Sequence, residues 1–458
     1  MQIHPKDNVE VGKDGHKYAL VAIEKGSPVI KYGFPIGVAT ADIGAGELVH
    51  SRNLKTALSA GNSYTYAPRD YGLSVMPSEL TFDGYLREDG SVGIRNEIWI
   101  VNTVGCVNKT AEELARRTGA RCFPHPYGCS QLGDDKSITQ KILAGLIRHP
   151  NAGGVLVLGL GCENSNIAEL KKELGEYNPR RVRFLNCQDV GDELAEGERI
   201  LAELRTYADG FARTPIPVSR LCIGLKCGGS DGYSGITANP LVGCVTNRLV
   251  SCGGSALLTE VPEMFGAEHL LMERCTDEAV FMRTVRLIET FKEYFISHGQ
   301  PVGENPSPGN KEGGITTLEE KSLGCVQKGG IAPVVDVLDY GERVRLPGLS
   351  LLNGPGNDAV AVTNLTAAGA HLILFTTGRG TPLGAPVPTL KISTNAALAE
   401  KKPHWIDFDA SPIAEGQAAD ALAEELFSLV LSVASGKEAK NEEHGYREIA
   451  IFKDGVTL

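Results

Sequence analysis

The spacing of hydrophobic and polar positions changes once along the chain, near residue 83. Before residue 67 the hydrophobic runs are short, rich in β-branched residues and separated by glycine-containing polar turns, as in "YALVAI", "SPVIKYG" and "GELVHSRN". This pattern predicts a compact all-β domain over residues 1–70. The stretch 71–82 that follows is polar and shows little periodicity, which predicts a linker.

From residue 83 onward, apolar strands alternate with helices. "NEIWIVNTVG", "ARCFPHPYG" and "GGVLVLGLG" predict strands, and "NKTAEELARRTG" predicts a helix that ends at Gly119. Apolar strands separated by helices indicate parallel sheets that are covered on both faces. Two prolines within 209–220 indicate a second boundary. We therefore predict a central α/β domain over 83–215 and a C-terminal α/β domain over 216–458.

Composition and charge restrict the partners of the protein. The chain of 458 residues has a net charge of −11 and no long basic cluster, so nucleic acid is not expected to bind. No hydrophobic run approaches the roughly 20 residues that span a bilayer. The start of the chain lacks the pattern of a signal peptide. We predict a cytoplasmic protein with no membrane partner, in which the eleven cysteines do not form a disulfide framework.

Residues with reactive side chains follow several of the predicted strands. Ligands of open parallel sheets bind beyond the carboxyl ends of the strands. The segment "GLKCGGSDGYSGITANP" places Lys226, Cys227 and Asp231 among glycines directly after such a strand. Cys129 and Cys162 also lie in glycine turns after strands, each beside a charged or hydroxyl residue. This placement predicts a metal site lined by the thiolates of Cys129, Cys162 and Cys227.

Other strand ends carry charged residues, and each of these has a structural alternative. Arg379 in "TTGRGTPLG" would suit a carboxylate or phosphate, or it would belong to an ordinary loop. Glu163 in "GLGCEN" could be favoured by a helix dipole alone. Glu260 could belong to a solvated loop edge. The chain contains no G-x-G-x-x-G fingerprint and no Walker A loop, which disfavours a nucleotide-dependent oxidoreductase.

Longer motifs resemble the altronate/galactarate dehydratase family over nearly the whole chain. "GHKYAL", "GSPVIKYGFPIGVA" and "GELVHSRN" are similar to the β-clip (SAF) domain of that family. Its central and C-terminal domains are resembled by "GYLREDGSVGIRNEIWIVNTVGCVN", "HPYGCSQLGDD", "VLGLGCEN", "KCGGSDGYSGITANP", "LTEVPEMFGAE", "ENPSPGNKEGGITTLEEKSLGC", "TTGRGTPLG", "KKPHWIDFDA" and "REIAIFKDGVTL". Several of these matches run for ten or more residues.

The resemblance implies a hydro-lyase that dehydrates D-altronate to 2-dehydro-3-deoxy-D-gluconate. It also implies dependence on iron(II), activity under reducing conditions, a homodimer and a C-terminal domain built on a variant Rossmann sheet. Within the same class, galactarate or sulfolactate is the alternative substrate. An aldonate has one carboxylate, whereas galactarate would call for a second Arg or Lys site beyond Arg379.

Dehydration of a 2,3-dihydroxy acid requires removal of a weakly acidic C2 proton and loss of the C3 hydroxyl group. We expect the catalytic residues to be Lys226, Asp231, Glu163, His50 and His16. Substrate binding is predicted for Arg379, Ser230, Asn239 and Glu260. Two metal sites are open: one Fe(II) held by His16, His50, Glu163 or Asp231, or an iron–sulfur cluster held by Cys129, Cys162 and Cys227. A non-catalytic sugar-binding protein is a further alternative, and it would leave the residues at the strand ends without a purpose.

Overall fold

The structure is a computed structural model that describes residues 1–58, 63–455 and 457. Its N-terminal region contains two antiparallel three-stranded sheets, in the orders β1-β2-β5 and β3-β4-β6. Buried and partly exposed positions alternate along their short strands, as expected for sheets with one face in a core. The predicted all-β domain is confirmed. The strands are β1 (Val9–Val11), β2 (Lys17–Ala19), β3 (Pro28–Lys31), β4 (Phe34–Ala39), β5 (Leu48–Val49) and β6 (Leu54–Lys55).

The second region is built on a parallel four-stranded sheet in the order β10-β9-β11-β12. Every residue of its long central strand β11 is buried, which explains the apolar run. Two strands precede the sheet, β7 (Thr81–Leu86) and β8 (Val92–Gly93). The strands and helices are β9 (Glu97–Asn102), α1 (Asn108–Thr118), β10 (Arg121–Cys122), α2 (Gly133–Arg148), β11 (Ala152–Gly159), α3 (Ile167–Leu174), β12 (Val182–Asn186) and α4 (Glu193–Ala208).

Two local predictions in this region have different outcomes. Helix α1 ends as expected at Gly119, which has φ of 71° and so occupies the left-handed conformation that glycine tolerates. In "ARCFPHPYG", by contrast, only Arg121–Cys122 form a strand. Pro124 and Pro126 lack the N–H that a ladder requires, and the strand ends before them.

The end of the predicted linker, 71–82, lies beside the predicted second boundary, 209–220, in the structure. Strand β13 (Thr214–Pro217) lies within the proline-containing stretch 209–220 and pairs antiparallel with β7, which begins at Thr81. The order in this small sheet is β13-β7-β8. The chain therefore leaves the second region beside the strand by which it entered.

The third region contains a parallel seven-stranded sheet in the order β16-β17-β15-β14-β18-β19-β20. Its central strands are buried along their whole length. The strands are β14 (Cys222–Cys227), β15 (Ser255–Leu258), β16 (Val334–Leu338), β17 (Gly348–Leu352), β18 (Leu372–Thr377), β19 (Thr389–Ser393) and β20 (Phe408–Asp409). The helices are α5 (Ala238–Ser251), α6 (His269–Met272), α7 (Glu278–Ser297), α8 (Pro308–Glu312), α9 (Leu318–Cys325), α10 (Asp358–Ala367), α11 (Ala396–Lys401), α12 (Ala419–Ala434) and α13 (Lys440–Glu443).

The second and third regions share one hydrophobic core. Trp99 and Ile142 of the second region belong to the same buried cluster as Val362 and Phe375 of the third. Helices α2 and α10 approach closely, since a Cβ on Gly145 would lie 2.7 Å from the carbonyl oxygen of Ala367. The two sheets therefore hold a fixed relation to each other. Within the described ranges, no helix is both long and apolar enough to cross a membrane.

Candidate active site

A cavity of about 770 Å³ lies at the carboxyl edge of the seven-stranded sheet. This is where open α/β sheets bind their ligands. Strand β14 ends at the cavity with Cys227, and the loops after β15, β17 and β18 supply other walls. Its charged or ionisable lining residues are Cys227, Glu263, Glu304, Lys321, Asp358 and Arg379, and Phe291, Tyr294, Phe295 and Phe452 form an apolar wall.

The glycines after β14 allow the SAF domain to approach the backbone. A Cβ on Gly232 would lie 1.9 Å from the carbonyl oxygen of Gly15, and one on Gly235 would lie 2.4 Å from the hydroxyl oxygen of Tyr32. Neither position could hold a larger residue without moving the SAF domain. The glycines of this segment are therefore required by the close approach of the N-terminal domain to the main chain.

Directly behind the cavity lies a buried ionic cluster. Lys226 is fully buried and donates hydrogen bonds to Glu260 and to the carbonyl oxygen of Cys227. Its Nζ also lies 2.8 Å from Oδ1 of Asp358, which is partly exposed in the cavity wall. Burial acts against the charge of Lys226, but Glu260 and Asp358 outweigh it and raise the pKa of Lys226. Lys226 is therefore an ammonium ion at neutral pH.

Glu260 is held in an unusual backbone conformation. Its φ of 70° and ψ of 59° are left-handed, a region that non-glycine residues rarely occupy. The carboxylate accepts a hydrogen bond of 3.0 Å from the backbone N–H of Cys227 and lies 3.7 Å from Nζ of Lys328. The strained turn after β15 thus directs this side chain into the cluster.

Cys227, Glu263 and Cys325 form the central group of the site. The Cys227 Sγ lies 2.9 Å from Oε2 of Glu263 and 3.4 Å from the Cys325 Sγ, and the Cys325 Sγ lies 3.1 Å from the same Oε2. All three ligand atoms lie within 4.8 Å of one another. Two thiols and a carboxylate form a donor set that suits a thiophilic divalent ion, so these residues fit a metal.

The surroundings favour the thiolate form of Cys227. Lys328 Nζ lies 2.9 Å from its sulfur. A hydrogen bond from Cys325, with the charges of Lys328 and Lys226, lowers the pKa of Cys227 to about 6 even though burial opposes ionisation. The same hydrogen bond raises the pKa of Cys325 well above its usual range. One thiolate and one thiol are therefore expected near neutral pH.

Lys321 fixes the position of Glu263. Its Nζ lies 2.9 Å from Oε1 of Glu263, 3.0 Å from Oδ1 of Asn305 and 3.1 Å from Oδ1 of Asn310. These three acceptors occupy the three N–H groups of the ammonium. Lys321 thus joins the loop before α8 to the cluster and has no donor left for a ligand.

Arg379 differs from Lys321 in exposure and in the number of its donors that are bonded. Its side chain is about half exposed, and its contacts are long: 3.3 Å to the carbonyl oxygen of Gly309 and 3.4 Å to Glu312. Its guanidinium lines the cavity with most of its donors unused. Among the described residues of the wall, Arg379 is the cation best able to bind an incoming carboxylate.

Helix α9 connects this cluster to the SAF domain. Glu320 lies 2.8 Å from Nζ of Lys17 and 2.8 Å from Nζ of Lys31, and all three side chains are buried. The charges of the two lysines outweigh burial and lower the pKa of Glu320 to about 2. Lys321 and Cys325 of the same helix belong to the cavity cluster. The SAF domain therefore packs directly against an element of the site.

Three of the predicted residues after β14 have structural partners. Asp231 accepts hydrogen bonds from Thr394 and Ser234 side chains and from Asn395 Nδ2, and burial raises its pKa. The carbonyl oxygen of Ser230 accepts from Asn310, and Asn239 bonds to Gly324 and Thr376. These contacts hold the glycine turn against its neighbours. The predicted catalytic and binding roles of Asp231, Ser230 and Asn239 are not tested by them.

The remaining predicted residues are not among the described residues that line the cavity. Neither His16 nor His50 is among its described lining residues, although both belong to the SAF domain that packs on α9. Glu163 is buried in the second region, where it accepts hydrogen bonds from Thr103 and from the backbone N–H of Gly161. Cys129 and Cys162 are exposed there. The described group of mutually close ligand atoms contains Cys227 but neither Cys129 nor Cys162, because these follow a different sheet.

The pattern of hydrophobic residues did not identify three members of the cluster that belong to α9 and the turn after it. Lys321, Cys325 and Lys328 are spaced i, i+4 and i+7, so they share one face of α9 and its 3-10 extension, Val326–Gly329. That spacing in "EEKSLGCVQK" was the available signal for them. Asp358 opens α10 directly after the loop that follows β17, a position that the strand-end rule could also have found.

Together the fold and the cavity define the class: a multidomain α/β enzyme whose reactive groups lie at the carboxyl edge of a parallel sheet. Three family models match the chain: the altronate/galactarate dehydratase SAF domain over residues 1–57, the D-galactarate dehydratase/altronate hydrolase second domain over 84–209, and the D-galactarate/altronate dehydratase C-terminal domain over 218–457. The chain belongs to the altronate/galactarate dehydratase family, as its motifs predicted.

Curated relatives agree with this assignment. The chain is 53% identical to altronate dehydratase of Bacillus subtilis (strain 168), covering 100% of this chain and 94% of the relative. It is 52% identical to altronate dehydratase of Escherichia coli (strain K12), covering 97% and 92%. Identity to galactarate dehydratase (L-threo-forming) of the same E. coli strain is 32%, covering 96% and 89%.

Proposed function

We propose that this chain is a hydro-lyase that dehydrates D-altronate to 2-dehydro-3-deoxy-D-gluconate. The observation that carries the proposal is the 52–53% identity to two altronate dehydratases over nearly the whole chain. The cavity supports the same substrate. Arg379 has free donors whereas Lys321 is saturated, which suits an acid with a single carboxylate. Galactarate, with two carboxylates, is the second candidate because a galactarate dehydratase is also a relative.

In this proposal Arg379 binds the substrate carboxylate, and Asp358 accepts the C2 proton. Asp358 is a partly exposed carboxylate of the cavity wall and lies 2.8 Å from Lys226. The same ammonium group of Lys226 also contacts Glu260. Removal of the C2 proton develops negative charge on the substrate, which the buried lysines Lys226 and Lys328 offset. The C3 hydroxyl then takes up the proton that Asp358 removed from C2 and leaves as water, and the resulting enol tautomerises to the 2-keto acid.

We propose iron(II) as the metal, held by Cys227, Glu263 and Cys325. The support is the soft donor set and the thiolate character of Cys227. A divalent ion bound there would supply a Lewis acid for an oxygen of the substrate. The exposed Cys129 and Cys162 remain the alternative ligands, with His16, His50, Glu163 and Asp231 as the alternative hard donors. Lys328 would keep Cys227 ionised, and Lys321 would keep Glu263 in place.

Four further statements about the molecule stay proposals. The strand order of the seven-stranded sheet is consistent with a variant Rossmann arrangement, because the chain steps outward from β14 to β15 on one side and from β18 through β19 to β20 on the other. The variation is at one edge, where β16 precedes β17 in the chain but lies outside it. We retain the domain bounds 1–70, 83–215 and 216–458. A homodimer and a cytoplasmic location are also retained.

The test is an anaerobic assay of iron-loaded protein with D-altronate, galactarate and sulfolactate, followed by detection of the 2-keto-3-deoxy acid. D-Altronate should react with the highest kcat/KM. Arg379→Gln should raise the KM for D-altronate by about tenfold or more, since a charged hydrogen bond is lost. Glu312→Gln is the matched control, because it removes only the exposed partner of Arg379. Turnover of galactarate but not of D-altronate would overturn the substrate assignment.

A further inference from the structure

A second cavity, of about 520 Å³, lies at the amino-terminal edge of the four-stranded sheet. Four arginines line it: Arg87 follows β7, Arg148 ends α2, Arg181 precedes β12, and Arg343 lies between β16 and β17. The dehydration described above uses none of these residues. Because the second and third regions both contribute, the cavity is part of the joint between the two sheets.

The four guanidinium groups have no ionic partners. In the described part of the chain, no carboxylate oxygen lies within 4.0 Å of a nitrogen of Arg87, Arg148, Arg181 or Arg343; the ion pairs are made by other residues. Buried or half-buried arginines without a carboxylate are uncommon, because an uncompensated charge is unfavourable away from water. The cavity therefore carries an excess of positive charge, which Asp89 of its wall offsets only in part.

Three of the arginines are held rigidly by backbone carbonyl groups. Arg87 donates to the carbonyl oxygen of Pro150 at 2.8 and 3.0 Å, and Arg181 donates to that of His149 at 2.6 Å. Arg148 donates from Nη2 alone, to the carbonyl oxygens of Glu173 and Leu174. These bonds fix the positions of the charges, so little side-chain entropy would be lost on binding.

Arg343 has no such partner. It makes no hydrogen bond or ion pair to another described residue, although its side chain is largely enclosed. Its planar group offers five N–H donors, and Arg148 keeps Nε and Nη1 free beside it. Burial and the charge of Arg148 lower the pKa of Arg343. Two guanidinium groups with free N–H donors in one cavity match the oxygens of a phosphate or carboxylate.

The carboxylates of the cavity wall do not cancel this charge. Glu88, Asp89 and Glu176 also line it. Glu88 is paired with Arg180 at 2.5 Å, outside the cavity lining, and Asp89 accepts hydrogen bonds from the Ser91 side chain and backbone. Asp89, whose charge acts on Arg181 and Arg343, and Glu176 remain against four arginines, so the lining keeps a net positive charge. The balance thus favours an anionic ligand.

We propose that this arginine cavity is an anion-binding site, distinct from the substrate cavity, for a small molecule that carries a phosphate or carboxylate group. Arg343 and Arg148 bind the oxyanion, and Arg87 and Arg181 supply fixed positive charge. Tyr177 of the same wall offers its hydroxyl group to the rest of the ligand. The shared chemistry is the oxyanion, and its source, phosphorylated or carboxylated, is distinguished by experiment.

Binding is measured by calorimetry on the full chain, with pyrophosphate and citrate as separate probes at constant ionic strength. Arg343→Met should weaken binding of the preferred probe by about 10- to 100-fold, as expected for loss of a charged hydrogen-bonding group. Arg116→Met is the matched control for net charge, because Arg116 is exposed on α1 and bonds only to Glu113. The affinity of Arg116→Met for the preferred probe should equal that of the unaltered protein.

The outcomes separate the proposal from its alternatives. Binding of pyrophosphate alone assigns the site to phosphorylated ligands, and binding of citrate alone assigns it to carboxylated ones. Equal weakening by Arg343→Met and Arg116→Met shows a general charge effect and overturns the proposal, as does the absence of binding to both probes. If Arg343→Met folds poorly, Arg343→Lys is the second variant. It keeps the charge but loses the planar guanidinium group, so its affinity for the probe should lie between those of Arg343→Met and the unaltered protein. Because Arg343 lies outside the substrate cavity, kcat for D-altronate should be unchanged without the anion.

Discussion

Cys227 and Cys222 belong to the same strand, yet their surroundings give them different chemistry. Cys222 packs in the core at the start of β14, where burial raises its pKa to about 12. Cys227, at the other end, contacts Lys328, Glu263 and Cys325, and its pKa is lowered to about 6. Five residues along one strand thus separate an inert thiol from a thiolate.

Cys227→Ser should therefore reduce metal content and kcat while the protein remains folded. A hydroxyl oxygen is a harder and much less acidic donor than a thiolate. Cys222→Ser is the control and should change stability only, by about 1 kcal/mol. Metal analysis and kcat are the measurements. Cys325→Ser should resemble Cys227→Ser, and the double variant should add little because the residues act as one unit.

The same experiment decides between the two sets of thiols. If Cys129→Ser and Cys162→Ser lose metal while Cys227→Ser retains it, the metal lies at the four-stranded sheet and the assignment to Cys227, Glu263 and Cys325 is wrong. The sequence placed Cys129 and Cys162 in the predicted central domain and Cys227 in the C-terminal domain, but the position of all three after strands grouped them in one site. Only the fold shows that Cys325, at the end of α9, is the thiol that lies beside Cys227.

His371 makes the joint between the regions sensitive to pH. Its Nδ1 accepts a hydrogen bond of 2.9 Å from the backbone N–H of Cys222, and its Nε2 lies 2.8 Å from the carbonyl oxygen of Val92. Burial lowers the pKa of His371 from 6.5 to about 4. The folded protein therefore keeps this ring neutral, whereas the unfolded chain binds a proton below pH 6.5.

The stability that this difference provides is fully present above pH 6.5 and is lost as the pH falls toward 4. It amounts to roughly 3 kcal/mol. His371→Asn should lower the melting temperature at pH 7 but reduce its further fall between pH 7 and pH 5. His404→Asn, a change at an exposed histidine, is the control. An unchanged pH slope in His371→Asn would show that His371 does not govern it.

Among the elements, helix α9 has the largest number of roles. Glu320 bonds to the SAF domain, while Lys321 and Cys325 belong to the cavity cluster. The sequence predicted the strands and helices of the sheets well, because a buried parallel strand has a distinct apolar pattern. It did not predict the role of α9, because every residue of that helix is buried and its charged side chains have partners on other elements.

Glu320→Gln should destabilise the docked SAF domain by about 3 to 5 kcal/mol, because Lys17 and Lys31 would lose their shared carboxylate inside the protein. Limited proteolysis should then release the SAF domain faster, and kcat should fall with it. Glu319→Gln is the nearest comparison, since Glu319 accepts hydrogen bonds from Thr56 and Ala57 and has no lysine partner among the described residues. Equal effects of the two variants would show that charge pairing is not the main contribution to the docking of the SAF domain.

At the scale of the whole molecule, we expect turnover to depend on the same contact between the SAF domain and α9. A chain that begins at residue 81 should fold through its two parallel sheets, since their shared core lies outside the SAF domain. Its kcat should nevertheless fall at least about tenfold, because Glu320, one residue before Lys321, would lose both buried lysine partners. Steady-state kinetics of the shortened chain is the measurement. Retention of the full kcat would show that the SAF domain has no part in turnover.

The connection between the SAF domain and β7 has a consequence for how these contacts are measured. Along it, Arg69 and Tyr71 bond to Glu273 of the third region, and the exposed stretch 74–80 then leads to β7. A covalent connection of this kind gives the SAF domain an effective concentration on the order of 1 mM at its docking surface. A docking equilibrium with a dissociation constant of about 10 µM would then still be about 99% occupied. In the intact chain, a variant whose docking is weakened only to this level would look almost normal, whereas a larger loss, as expected for Glu320→Gln, would still be visible. Supplying residues 1–58 and 81–458 as two separate polypeptides removes that advantage. Activity would then rise with the concentration of the smaller piece, and the midpoint of this complementation curve would report the docking affinity that the connected chain conceals.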